Sequence, residues 1–391
     1  MAAQPFSVPK IPAATPQSNL TSNQFTKWFE CGPQTVGNFS AVAYFFGRDL
    51  QKALNVPVGL IHTSWGGTPA ESWTSKASLE AEPSLKYYAD HAGQAIKGYG
   101  KVVERYLTQL AENKDALVKG AALGQDLPAP PANPARNAWT PTTLYNGMIA
   151  PLIPYGIKGA IWYQGESNAG KAHEYRTLLP TMIKDWQAHW GKEDVTFLIV
   201  QLAPFTKIVK QPVESDWAEL REAQLHTALT LPKTGIAVIT DVGEEFDIHP
   251  RKKGPVGARL ALAARAIAYG EDIVYSGPIY SGMKADGNKV ILSFKHAGGG
   301  LLAKGGSLTG FAIAGDDAKF VNARAEVQDD KVAVWSSEVA HPVAVRYGWA
   351  NYPTGNLWNK EDLPASPFRT DDFPKKTGPK KTAAASNSKP R

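Results

Sequence analysis

A carboxylate two residues ahead of an imidazole, in Asp247-Ile248-His249-Pro250, is the first spacing in this chain with chemical content. Histidine is the side chain suited to move a proton near neutral pH. A nearby carboxylate suits it further, by fixing the ring tautomer and stabilising the imidazolium that forms. Two other blocks add what acyl transfer needs. Gly66-Gly67 lets backbone N–H groups approach a substrate and face a developing oxyanion. Gln164-Gly165-Glu166-Ser167-Asn168 carries two amides, Gln164 and Asn168, either of which can add a side-chain donor.

These blocks need a scaffold that brings them to one edge. Val56–Ile61, Ile157–Tyr163, Thr196–Ala203 and Ile236–Thr240 are short apolar runs that read as buried strands. The first ends at Gly66-Gly67, the second at Gln164, and the fourth leads through Asp241-Val242-Gly243 to Asp247 and His249. Helical spacing is expected from Ser40, an N-cap, through Leu54, and again over about 173–190, 214–230 and 254–269. Strands alternating with helices predict an α/β fold, a parallel sheet flanked by helices, with ligands beyond the carboxyl ends of the strands. Residues 1–35 read as an irregular lead-in and 75–137 as a helical insertion ending in a Pro/Ala/Gly-rich connector. From 273 to 373 strand-like runs such as Val290–Phe294, Lys331–Trp335 and Pro342–Tyr347 predict a β-rich C-terminal module.

Composition narrows the function. The chain has 391 residues, 43% apolar and 20% charged, enough for a substantial core. Its net charge of +6 sits in the tail: residues 375–391 hold six basic side chains and no acid, and the remainder balances. A neutral body argues against nucleic-acid binding, and residues 374–391 read as a basic disordered tail. No apolar run is long enough to span a membrane, and Met1–Pro5 lacks the pattern of a secretory signal. The single cysteine, Cys31, and eight histidines without an i, i+4 pair predict no metal and no cofactor. Trp65, Trp73 and Trp162 suit either a sugar pocket or the core. Arg221, one turn from Gln224 on a predicted helix, suits a substrate carboxylate or a surface ion pair. Arg369 reads as an anchor between modules.

Taken together, GLIHTSWGGTPAESW (59–73), LYNGMIAPLIP (144–154), IWYQGESN (161–168), DIHP (247–250) and LPASPFRTD (363–371) resemble the sialate O-acetylesterase family of SGNH-type carbohydrate esterases. The likeness runs over about 20–373. It implies an SGNH-like esterase domain over 36–272 that removes O-acetyl groups from sialic acid or a related sugar. It implies serine chemistry without a metal, with His249 as base, Asp247 as its partner and Gly67 as an oxyanion donor. It also implies a periplasmic or extracellular protein. Nothing in the sequence sets the oligomeric state.

Two departures stand out. The family spaces its acid and histidine as D-x-x-H, which leaves Asp241 and Glu244 as rivals to Asp247. The family also carries its nucleophile in a Gly-Gln-Ser-Asn block on the first sheet strand, and this sequence has none. Ser18, in Pro16-Gln17-Ser18-Asn19, and Ser64, beside the glycine turn, are the substitutes on offer. The expectation is a truncated sheet and little serine-esterase activity from these residues alone. A non-catalytic carbohydrate-binding remnant of the same fold and an acetylxylan-type esterase are the alternatives.

Overall fold

The computed structural model describes residues 4–8, 10–17, 28–191 and 195–379. The chain opens with β1 (Gln4–Ser7), then α1 (Ala41–Leu54) and β2 (Gly59–His62). Ser40 caps α1 by accepting from the Ala43 N–H at 3.3 Å. Three helices fill the insertion: α2 (Lys76–Ala81), α3 (Lys86–Glu112) and α4 (Lys114–Ala122). Then come β3 (Gly159–Trp162), α5 (Ala172–His189), β4 (Thr196–Val200), α6 (Asp216–Thr230), β5 (Thr234–Ala237) and α7 (Lys253–Tyr269).

The parallel strands form two sheets. β1 pairs with β2, Gln4 opposite Gly59 through Ser7 opposite His62, and β3-β4-β5 form the other. Among the described residues, no ladder joins β2 to β3. β4 shows why helices cover both faces of the larger sheet. Phe197 and Ile199 point into a core with Leu178, Met182 and Ile183 of α5 and Leu220 of α6. Leu198 and Val200 point the other way, toward Val42 and Leu50 of α1 and Val256 and Leu260 of α7.

The strand β1 corrects the reading of residues 1–35 as irregular. The Val8 N–H continues the pairing with a 2.8 Å bond to the His62 carbonyl. Farther on, the Ala13 N–H donates to the Thr143 carbonyl (3.0 Å) and the Gln17 N–H to that of Asn146 (2.9 Å). Pairing partners more than fifty residues away leave no periodic signal in a four-residue segment that contains Pro5. In a parallel ladder alternate residues bond to the same neighbour, so the Val8 bond places Pro5 at a position facing outward.

The C-terminal module is built from β6 (Ile279–Asp286), β7 (Lys289–Lys295), β8 (Leu301–Ala303), β9 (Phe311–Ala314), β10 (Val321–Asn322), β11 (Arg324–Gln328), β12 (Lys331–Trp335), β13 (Ala344–Tyr347), β14 (Leu357–Asn359) and β15 (Phe368–Arg369). Two four-stranded antiparallel sheets, β10-β9-β13-β15 and β11-β12-β7-β6, share a core of Val290, Leu292, Ile313, Val332, Val345 and Phe368.

Arg221 and Arg369 tie this module to α6. Arg221 is fully buried, which corrects both its surface and its substrate-carboxylate readings. Its guanidinium donates to the carbonyls of Leu202, Ala203, Ala350 and Asn351 at 2.6–3.0 Å. Burial pulls its pKa down from the ordinary arginine range, but four carbonyl acceptors favour the protonated fork. Arg369 reaches Glu222 of α6 at 2.9 Å and Asp371 at 3.0 Å.

The expectation of a free tail from 374 onward also needs correction. Glu219 of α6, 2% exposed, accepts from the backbone N–H groups of Lys376 (2.6 Å) and Thr377 (3.0 Å) and from the Thr377 hydroxyl. Lys375 pairs with Glu222. Lys375 and Lys376, which look solvated in the sequence, find acidic partners, Glu222 and Asp216, on one helix. Residues 380–391 lie outside the described part.

Candidate active site

The turns after β2 and β3 interlock at the carboxyl ends of their strands. Gly67 has φ of +74°, which a side chain disfavours. Its carbonyl accepts from the Ser167 hydroxyl at 2.6 Å and from the Trp139 indole N–H at 2.9 Å. With both acceptor positions taken, the carbonyl of this residue is held in place. Gly165 serves close packing: a Cβ there would lie 2.5 Å from Leu220 of α6.

Gln164 and Asn168 lie between the turns, with their amides turned inward. Gln164 Nε2 donates to Asn168 Oδ1 (2.7 Å) and to the Thr68 carbonyl (3.1 Å), and its Oε1 accepts from the Tyr175 hydroxyl at 2.9 Å. Asn168, 1% exposed, accepts from the Ala70 N–H and donates to Glu71 Oε2, each at 2.9 Å. Burial raises the Glu71 pKa, and the Asn168 bond opposes the rise. These amides thus brace the two half-sheets, which no strand ladder connects among the described residues.

His249 stands on the exposed loop ahead of α7, its side chain 85% exposed. Its Nδ1 lies 3.7 Å from Asp247 Oδ1, and that same oxygen accepts the His249 backbone N–H at 2.8 Å. The rival acids are committed elsewhere. Asp241 grips Arg259 through two bonds of 2.5 and 2.9 Å, and Glu244 accepts from the Arg251 N–H at 2.8 Å. Burial raises the Glu166 pKa, while the charges of His249 and Lys253 pull the other way, and its neighbour Ser167 is the residue bonded to Gly67.

Ser64 Oγ lies 2.6 Å from His62 Nε2. Burial lowers the His62 pKa, and the charge of Lys10 lowers it further, which favours a neutral ring able to accept a proton. Two residues apart on an extended chain, they share a face, a signal present in the sequence and missed. Ser18 lies outside the described residues. Cys31 is half-buried. Trp73 and Trp162 are core residues, 3% and 7% exposed, meeting edge to face with centroids 6.0 Å apart. Trp139, which sequence reasoning passed over, stands 52% exposed on the glycine turn. Among the described residues, no cluster of His, Cys, Asp or Glu could hold a metal, and no helix is long and apolar enough to cross a membrane.

Residues 132–265, which include Trp139, Gln164, Asn168 and the Asp247–His249 loop, match the family described as carbohydrate esterase, sialic acid-specific acetylesterase. The crystal structure of a carbohydrate acetylesterase from Xanthomonas citri is 40% identical with a TM-score of 0.77, covering 95% of this chain and 73% of that one. This chain belongs to the sialic acid-specific acetylesterase family of carbohydrate esterases. Curated sialate O-acetylesterases are similar over a shorter stretch. The Rattus norvegicus protein is 32% identical over 263 residues, 62% of this chain and 46% of its own length. The Homo sapiens protein is 30% identical over 275 residues, 66% of this chain and 45% of its own. The chain thus spans less than half the length of these curated relatives of the acetylesterase family. Its parallel sheet flanked by helices, followed by a β-rich module, is the architecture shared with the Xanthomonas esterase.

Proposed function

We propose that this chain hydrolyses O-acetyl esters of a sugar, sialic acid or a related pyranose, by acyl transfer to a serine. The observation that carries the reading is the match of residues 132–265, which span the Gln164–Asn168 turn and the Asp247–His249 loop, to the sialic acid-specific acetylesterase family. The Ser167 hydroxyl bond to the Gly67 carbonyl, which fixes the glycine turn against the turn after β3, supports it.

In this reading a serine oxygen attacks the acetyl carbonyl and forms a C–O bond while His249 takes its proton. The Gly67 N–H receives the negative charge that develops on the carbonyl oxygen. Collapse expels the sugar alkoxide, which takes the proton from His249, and water then releases acetate by the same steps in reverse order. Asp247 orients the imidazole, while Gln164 and Asn168 keep the turns in register. Ser64 is the serine that the described residues set against an imidazole, that of His62 rather than of His249, and Ser18 is its rival.

The test is hydrolysis of an aryl acetate and of an O-acetylated sialic acid by the chain beside His249→Ala, Ser64→Ala and Ser18→Ala. Turnover that falls by several orders of magnitude in His249→Ala supports the assignment. Whichever serine substitution abolishes turnover names the acyl acceptor. Sugar binding without hydrolysis in any form would replace this reading with the non-catalytic one, and a preference for acetylated xylan would move the substrate class.

A further inference from the structure

We infer that the indole face of Trp139 is the platform on which a pyranose ring of the substrate stacks. Trp139 is 52% exposed, yet it is not a loose surface side chain. Its backbone N–H bonds Asn137 Oδ1 at 2.9 Å, and its indole N–H bonds the Gly67 carbonyl at 2.9 Å. Its Cζ2 lies 3.9 Å from where a Cβ on Gly67 would stand, ordinary van der Waals contact with the turn. The polar edge of the ring is therefore satisfied by protein, and what remains exposed is apolar.

A pyranose has faces of C–H groups whose hydrogens carry slight positive charge, and an aromatic face carries the complementary negative quadrupole. A side chain already pinned by its indole hydrogen bond, on a backbone itself held by Asn137, loses little rotamer freedom when a ligand settles on it. Of the other tryptophans at this edge, Trp73 and Trp162 are packed into the core and offer no face, and Trp65, half-buried against the same core, has the Lys10 ammonium 5.7 Å from its ring centroid. Location adds the last element. Trp139 bonds the carbonyl of the same residue whose N–H is proposed to face the oxyanion, so a sugar stacked on the indole carries its ester substituents at the glycine turn.

The subsite rests on the acetylesterase reading for the bond that is cleaved, but not for sugar binding, which is measurable on its own. The experiment is saturation-transfer NMR of N-acetylneuraminic acid and of methyl β-D-xylopyranoside with the full chain, Trp139→Ala, Trp139→Phe and Trp139→Leu. Hydrolysis of p-nitrophenyl acetate is followed in parallel. The expected result is saturation of one ring face of at least one sugar, and a dissociation constant weakened about tenfold in Trp139→Ala. The Phe variant, which keeps an aromatic face without the anchoring N–H, falls between. The Leu variant, which fills the volume without an aromatic face, matches Ala and decides the matter if Ala fails to fold. Failure of both sugars to take up saturation from the parent chain overturns the platform, as does equal affinity in the Leu and parent proteins. Ester hydrolysis with sugar affinity unmoved removes the platform alone. Trp139-dependent sugar binding without ester hydrolysis removes the esterase reading alone.

Discussion

The Ser167 hydroxyl donates to the Gly67 carbonyl at 2.6 Å, joining residues one hundred positions apart at the ends of strands in different sheets. That bond and the Trp139 indole fix a peptide whose φ of +74° is open to glycine and costly for other residues. Gly67→Ala is expected to cost about 1–2 kcal/mol from the left-handed backbone alone, since the added methyl has room. Gly66→Ala, at a residue outside that backbone region with open space around it, is the control and stays within about 0.5 kcal/mol. Urea denaturation of both variants checks the contrast.

Arg221 is a cation whose guanidinium bonds are all to carbonyls, from two segments that meet between the sheet domain and the β-rich module. Arg221→Met leaves these buried acceptors short of donors, and a loss of at least about 3 kcal/mol is expected. Arg221→Lys keeps the charge but not the planar fork, so it recovers only a minor part. Chemical denaturation measures both, and a near-neutral Arg221→Met would show that the clamp is dispensable.

Truncation before Pro374 is expected to lower the melting temperature, contrary to the sequence reading of that segment. It strips the buried Glu219 carboxylate of its donors at Lys376 and Thr377, worth about 1–3 kcal/mol. Combining the truncation with Glu219→Gln should recover part of the loss, because the neutral amide is cheaper to leave unpaired. Thermal melts of the two proteins test this.

Stability should fall in acid through Glu222 and Asp371. Burial alone would raise both pKa values. The Lys375 and Arg369 bonds to Glu222, and the Arg346 bonds to Asp371, more than reverse it and leave both below their ordinary values. A depressed folded-state pKa gives stability that is present above the unfolded value, 4.5 for Glu and 3.8 for Asp, and is lost as pH falls toward the folded one. Melting temperatures between pH 6 and pH 3 should drop steeply at the acid end, and Glu222→Gln should flatten part of that slope.

Helices and buried strands were legible where local pattern and tertiary partner agree. α7 runs Lys253–Tyr269 against an expected 254–269, and β12 spans Lys331–Trp335 as read. The features that escaped share one cause. β1, the burial of Arg221 and the docking of Thr377 each depend on a partner far along the chain, and nothing in their own neighbourhood announces it. The site divides the same way. Its blocks are visible as Gly66-Gly67, Gln164–Asn168 and Asp247–His249, whereas the inward turn of the amides and the seating of Trp139 on Gly67 arise only when distant turns meet.

Pro5 bears on what the outer side of β1 can bond. An edge strand normally offers a row of backbone donors to which a neighbouring chain can add. On β1 the residues facing away from β2 are Pro5 and Ser7, and proline has no N–H to give. Four residues thus leave a single outward donor at Ser7, too short a row to template a further strand. One imino acid, rather than a charge, shortens the row of donors on that side of β1.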